Sequence, residues 1–258
     1  MYGWRAQLGV LVPSTNTTVE PEFARALPDG VAAFAARVPV AEVSRPEDKV
    51  ASLLAMHGRI GEAAAQVGSL LPDVVGYACT SGSFLAGLGS DRDICQRMYE
   101  ATGVPSLTTS TAVAAALRTL QARRIALVTP YIPAVADGAE AYLAELDIEV
   151  VARADLNLLS NLDKGRLPAT ESYRLARTVD VGDADALMIS CTNWRTFDII
   201  PRLEADLGLP VISSNSATLW AMLRLAGLPD RGPLDCELYR RPLVWLPEHV
   251  TRAKAGAR

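Results

Sequence analysis

The sequence predicts an α/β protein made of two pseudo-symmetric parallel-sheet lobes that face a central cleft. Three observations lead there. Short apolar runs alternate with amphipathic stretches along the 258 residues, which is the rhythm of βαβ units with parallel strands. The two halves also repeat each other. DVVGYACTSGS (73–83) aligns with DALMISCTNWR (185–195) at an offset of 112, and GVPSLTTSTA (103–112) aligns with GLPVISSNSA (208–217) at an offset of 105. LVPSTN (11–16) aligns more weakly with LVTPYI (127–132). Elements that recur in one order at nearly one separation mark an internal duplication. Finally, half the residues are hydrophobic and 21% are charged, the composition of a globular chain with a sizeable core.

Residues 8–12 read as the first strand and 31–38 as the second. Between them 21–27 reads as a short helix, opened by a capping box at Thr17-Thr18-Val19-Glu20. Residues 47–71 place Val50, Leu53, Leu54, Ile60 and Ala64 at helical spacing and read as one long helix. The next strand ends on Cys79, and a helix near 92–102 stops at Gly103. The theme then restarts: strand 124–129, helix 134–146, strand 149–153, a polar loop over 155–168, helix 169–179, and strand 184–190 ending on Cys191. Each lobe follows a flavodoxin-like pattern. The division expected is 1–115 with 216–258 as the N-terminal lobe and 116–215 as the C-terminal lobe, the segment after Asn215 packing back on the first.

Several function classes are excluded. A net charge of −4 with no basic stripe argues against nucleic-acid binding. No apolar run reaches membrane-spanning length, and a strand pattern begins too early for a signal peptide. Four cysteines without a CxxC pair form neither a disulfide framework nor a metal motif, so free thiols in a reducing cytoplasm are expected. His57 and His249 lack partners at metal spacing, and HExxH, Walker A and GxGxxG are absent. TSGSF is not a GxSxG elbow. No metal or organic cofactor is expected, and the basic tail 252–258 reads as a solvated end.

The chemistry gathers at the strand ends. Ligands of open α/β sheets bind beyond the carboxyl ends of strands, and Cys79 and Cys191 occupy equivalent strand ends. A free cysteine is commonly a small buried hydrophobe, and Cys95 and Cys236 read that way. Two at matched positions beside polar loops suit a thiol pair that acts on opposite faces of one carbon. Thr80, Ser81 and Ser83 bring hydroxyl donors, and backbone N–H groups with a following helix favour an anion and a lowered thiol pKa. Asn16 is either a turn or cap residue or a polar ligand contact. Tyr131 is either an edge-of-core residue or a carboxylate partner, and Asn161 either caps a turn or closes over the cleft. Thr108, Thr109, Ser213, Ser214 and Asn215 are turn formers whose duplication suggests cleft lining. Trp194 and Phe197 are a pocket wall or ordinary core.

These residues resemble the Asp/Glu racemase superfamily, in its branch of maleate isomerases, arylmalonate decarboxylases and ectoine-utilisation proteins. GVLVPSTNTTVEPE (9–22) is similar to the maleate-isomerase opening, YAC and SCTN carry the cysteines, and VTPY is similar to the family's tyrosine motif. The resemblance covers nearly the whole chain and implies Cys79 and Cys191 as the catalytic pair. It places Asn16, Tyr131 and Asn161 on carboxylate-binding positions, to which Thr80, Ser81 and Thr192 beside the cysteines are added. Thr80-Ser81-Gly82-Ser83-Phe84 departs from maleate isomerases, which have apolar residues there, and is similar to the dioxyanion loop of arylmalonate decarboxylases. Those enzymes carry glycine at the position of Cys79. CTSGSF together with SCTN is similar to the ectoine-utilisation branch.

The expected function is a cofactor-independent isomerase or racemase of a small carboxylate or dicarboxylate. The alternatives are a decarboxylase whose enediolate Cys191 protonates, and a non-catalytic carboxylate-binding protein. A homodimer or homotetramer is what the resemblance implies.

Overall fold

Strand segments whose residues are all apolar cannot offer a face to water, so they are buried on both sides by helices. Val74–Tyr77 and Ala186–Ile189 are buried at every position. They are the third strands of two four-stranded parallel sheets in a computed structural model that describes residues 1–229 and 234–251. The first sheet contains β1 (Ala6–Pro13), β2 (Val31–Val38), β3 (Val74–Tyr77) and β4 (Ser106–Thr108) in the order β2-β1-β3-β4. The second contains β5 (Arg124–Thr129), β6 (Glu149–Asp155), β7 (Ala186–Ile189) and β8 (Val211–Ser213) in the order β6-β5-β7-β8. The duplication extends to register. Val75 pairs with Ser106 in one sheet and Leu187 with Val211 in the other, the same pair of positions under the two sequence offsets.

The helices of the first half are α1 (Val19–Ala26), α2 (Lys49–Leu54), α3 (Ile60–Gly68), α4 (Thr80–Phe84), α5 (Ser90–Thr102) and α6 (Thr109–Thr119). Those that follow are α7 (Pro133–Ala144), α8 (Asn161–Arg166), α9 (Ala169–Thr178), α10 (Ile200–Leu207), α11 (Ser214–Leu225) and α12 (Glu248–Thr251). As the apolar pattern predicts, α5 ends at Gly103, whose φ of 72° is the left-handed cap that glycine adopts without strain. The helix α11 packs along α6 and over β3, and also meets α1 and β8. The basic tail lies outside the described residues.

Three local expectations differ from the structure. The long helix over 47–71 is broken: a 3₁₀ segment, Ala55–Arg59, separates α2 from α3. The tighter turn buries Met56 against the Tyr77 hydroxyl and brings His57 Nε2 within 2.5 Å of the Gly82 carbonyl. The capping box at Thr17 does not form. Asn16 Oδ1 instead accepts from the N–H groups of Thr18 and Val19, while Glu20 pairs with Arg37. The polar loop over 155–168 contains the short helix α8, capped by the Ser160 hydroxyl on Asp163 N. Among the described residues no helix is long and apolar enough to cross a membrane.

The two long helices α6 and α11 start alike. Thr108 Oγ1 accepts from Thr111 N, and Ser213 Oγ accepts from Ser216 N while Ser216 Oγ accepts from Ser213 N. Ser213 also accepts from the Thr196 hydroxyl. Substituting Ser213→Ala removes a cap and strands that hydroxyl, so it is expected to lower unfolding free energy by about 2 kcal/mol, measured by urea denaturation.

Candidate active site

Both β3 and β7 stop at a cysteine, and both cysteines line one cleft between the sheets. Its wall comprises Asn16, Cys79, Thr80, Ser81, Tyr131, Asn161, Lys164, Cys191, Thr192 and Asn193, with Pro13, Thr15, Val40, Leu53 and Val135. The eight side chains singled out from the sequence, Asn16, Cys79, Thr80, Ser81, Tyr131, Asn161, Cys191 and Thr192, are therefore brought together. The cavity measures about 30 Å³, room for one or two waters. A larger groove of about 540 Å³ between α1 and β2 is lined by Phe23, Leu27 and Phe34 with the acids Glu20 and Asp29. It contains no thiol, so the smaller cleft is where chemistry is concentrated.

Cys79 occupies the cap position of α4, in extended conformation. The Gly82 N–H and the hydroxyls of Tyr77 and Ser81 lie beside its sulfur and favour the thiolate. Only glycine fits at 82: a Cβ there would lie 2.9 Å from Cys79 Sγ and 2.6 Å from the Tyr77 hydroxyl oxygen. Cys191 N–H donates to Ser214 Oγ at 3.0 Å, and that same oxygen accepts from Thr80 Oγ1 at 2.8 Å. One hydroxyl thus ties the loop after Cys79 to the backbone of Cys191.

The pKa expectation from the strand-end field is corrected here. Burial pushes both thiols up, and it outweighs every donor around them. For Cys191 the opposing influences, in order, are the Lys164 ammonium, the Asn193 N–H, the Tyr131 hydroxyl and the Lys49 ammonium. Tyr131 is raised well above its ordinary value by burial and then by the charge of Cys191.

Asn16 is a cap that also lines the cleft. Its Oδ1 caps α1, and its Nδ2 turns to the cleft and donates to Thr192 Oγ1 at 3.3 Å. Asn161 lines the cleft at the first turn of α8, while Ser160 does the capping. Ser213, Ser214, Asn215, Thr108 and Thr109 are fully buried and sit behind the lining. Trp194 and Phe197 are likewise buried and not part of the wall. Cys95 and Cys236 are buried elsewhere.

Sequence reasoning missed Lys49, Lys164, Asn193 and Glu22. Asn193 staples the halves: Oδ1 accepts from Thr17 N and Thr18 Oγ1, and Nδ2 donates to the carbonyls of Thr15 and Asn161. Glycine at 165 lets α8 approach, since a Cβ there would lie 2.5 Å from Thr17 Oγ1 and 2.9 Å from Asn193 Oδ1. Glu22 extends the staple from α1. Its carboxylate accepts from Thr196 N, Phe197 N and Asn215 Nδ2, and Asn215 Nδ2 also donates to the Thr192 carbonyl. SCTN contained the Asn193 signal; nothing local marked the two lysines.

The fold and the thiol-lined cleft define a class: a two-sheet α/β protein with cysteines at paired strand ends. The family model for arylmalonate decarboxylase matches residues 8–239, and the chain belongs to that family. Arylmalonate decarboxylase of Bordetella bronchiseptica is 34% identical, over 85% of this chain and 90% of its own. Among solved structures, a maleate isomerase variant from Pseudomonas putida S16, with one cysteine replaced by alanine and with maleate, has a TM-score of 0.85 at 27% identity, covering 91% of this chain and 97% of that one. A cysteine-to-serine mutant of the Nocardia farcinica maleate cis-trans isomerase, with a covalently bound succinylcysteine intermediate, has a TM-score of 0.83 at 26% identity, covering 91% and 98%.

Two expectations follow. Gly82→Ala forces Tyr77 and Cys79 apart and is expected to cost about 1–3 kcal/mol of stability by overpacking, read by denaturant titration, with loss of the Cys79 position. Burial raises the Glu22 carboxyl from 4.5 to about 7. The folded state then binds the extra proton, so stability is greatest below the unfolded value and falls as pH rises towards 7. That decline amounts to about 3 kcal/mol, and Glu22→Gln is expected to flatten it in denaturation curves taken between pH 4.5 and 8.

Proposed function

We propose that the protein is a cofactor-independent cis–trans isomerase of a small unsaturated dicarboxylate, converting maleate to fumarate, with Cys79 and Cys191 as its catalytic pair. The observation that carries this reading is the placement of two thiols at matching strand ends on one cleft wall. The solved relative with a succinylcysteine intermediate supports a covalent route.

In that route the Cys79 thiolate forms a C–S bond to one alkene carbon, and the double-bond electron pair moves to the other. Cys191 delivers its proton to that second carbon. The link between the two carbons is now a single bond and rotates. The Cys191 thiolate withdraws the proton, the C–S bond breaks, and the trans alkene leaves. Donors at Cys79 from Gly82, Tyr77 and Ser81 hold the attacking thiolate. The Lys164 ammonium holds the Cys191 thiolate that exists while its proton is on substrate. Asn16 Nδ2, Ser81 and Tyr131 are assigned to one carboxylate, with Asn161 and Thr192 completing the wall. Thr80 acts mainly through Ser214, to which its hydroxyl is committed.

A decarboxylase is the second reading, favoured by the Thr80-Ser81 loop and by the Bordetella relative. Against it stands Cys79, where the family resemblance puts glycine in decarboxylases. The narrow cavity also asks for less widening to admit a four-carbon acid than an aryl one. A reducing cytoplasm suits four free cysteines, and a homodimer or homotetramer rests on the family resemblance.

Proton NMR of maleate incubated with the protein in deuterated water tests the proposal. Fumarate is expected from the native chain, and Cys79→Ala and Cys191→Ala are each expected to lose at least about a hundredfold in rate. Deuterium entering the α-position of a saturated amino acid instead would establish a racemase. Carbon dioxide released from a substituted malonate by Cys79→Gly would establish the decarboxylase.

A further inference from the structure

We infer that Lys164 and Lys49 form a cationic subsite for a second acidic group of the substrate, so that the cleft selects small dianions over monoanions of the same shape. The inference rests on the reading that the two cysteines act on a small acid in this cleft.

Lysine is almost never fully buried unless it is paired, yet Lys49 is 1% and Lys164 3% exposed. Among the described residues neither makes a salt bridge with a carboxylate. Lys49 Nζ makes one hydrogen bond, to the neutral Asn161 Oδ1 at 2.8 Å, which leaves two of its three N–H donors for other partners. Lys164 lines the cleft, and its Nζ makes no hydrogen bond among the described residues. Its nearest aromatic neighbour is the Tyr131 ring, with a centroid 5.4 Å away.

The available counter-charges do not settle this account. Glu42 reaches both lysines through space, but it is exposed and its two oxygens accept from Asn161 N and Leu162 N. Both thiols also face the lysines, and burial holds both of them towards the neutral form. Two buried like charges therefore oppose each other: burial first, then the Lys164 charge, lowers Lys49 to about 8. Isolated buried charges of this kind are costly unless an opposite charge joins them. A substrate with two acid groups supplies it, one group on the neutral donors of Asn16 and Tyr131 and the other on the two ammonium groups.

If the lysines serve only the thiolates, their removal affects monoanions and dianions alike. If they form a subsite, removal lowers the preference for the dianion. Isothermal titration of the full chain with succinate and with succinamate separates these outcomes, because the two ligands share a skeleton and differ by one charge. The native protein is expected to bind succinate at least about tenfold tighter, the scale of a charge-assisted hydrogen bond. Lys164→Met and Lys49→Met are each expected to reduce that ratio severalfold, and Lys164→Arg is expected to retain it. Equal affinity for the two ligands in the native protein overturns the inference even if no variant folds. So does an unchanged ratio in a folded Lys164→Met protein. Fumarate formation without any charge preference leaves the isomerase reading standing and removes the subsite, whereas a charge preference without fumarate formation does the reverse.

Discussion

The Ser214 hydroxyl is the point on which the cleft turns. Where two parallel sheets present their carboxyl ends to each other, strand-end N–H groups and hydroxyls are carried out of water, and each needs a partner. Ser214 Oγ accepts from both the Cys191 N–H and the Thr80 hydroxyl. It thereby satisfies a donor from each half with one atom at the start of α11. Asn193 Oδ1 takes two donors at the opening of α1, and Glu22 takes two from the loop that follows Cys191. The strand ends that carry the thiols are thus tied to both halves by buried hydrogen bonds.

The electrostatics of the cleft follow from that closure. Burial favours neutral thiols and penalises ammonium groups, and the structure contains both consequences: Cys79 and Cys191 pushed up, Lys49 and Lys164 pushed down. Neither shift suits the free protein. Negative charge entering the cleft relaxes the lysine shift, because it favours the ammonium form.

Much of this architecture was legible in the sequence. The strands were, because chains buried on both faces leave unbroken apolar runs. The cysteines were, because the repeat set them at equivalent ends. The break in the 47–71 helix was not, since what bends it is a long-range fit: Met56 against Tyr77, and His57 against the Gly82 carbonyl. Nor were Lys49 and Lys164, which by type belong on the surface; the packing of α8 puts Lys164 in the cleft wall, and Lys49 on α2 is buried against Asn161 Oδ1. Ser214 and Asn215 were visible as a repeated motif but misplaced, since pattern alone does not separate a residue that lines a wall from one that stands behind it.

The shared register of the two sheets has a consequence for asymmetry. Two identical copies of one half, related by a two-fold axis, would present the same loop twice to any molecule between them. Both thiols would then meet the same surroundings. In a single chain each half is free to change alone. Here the first cysteine is followed by Thr80-Ser81-Gly82 and the second by Thr192-Asn193-Trp194, and Lys164 leads the opposing influences on Cys191 alone. Covalent fusion allows a symmetric frame to hold two sulfurs in unlike surroundings.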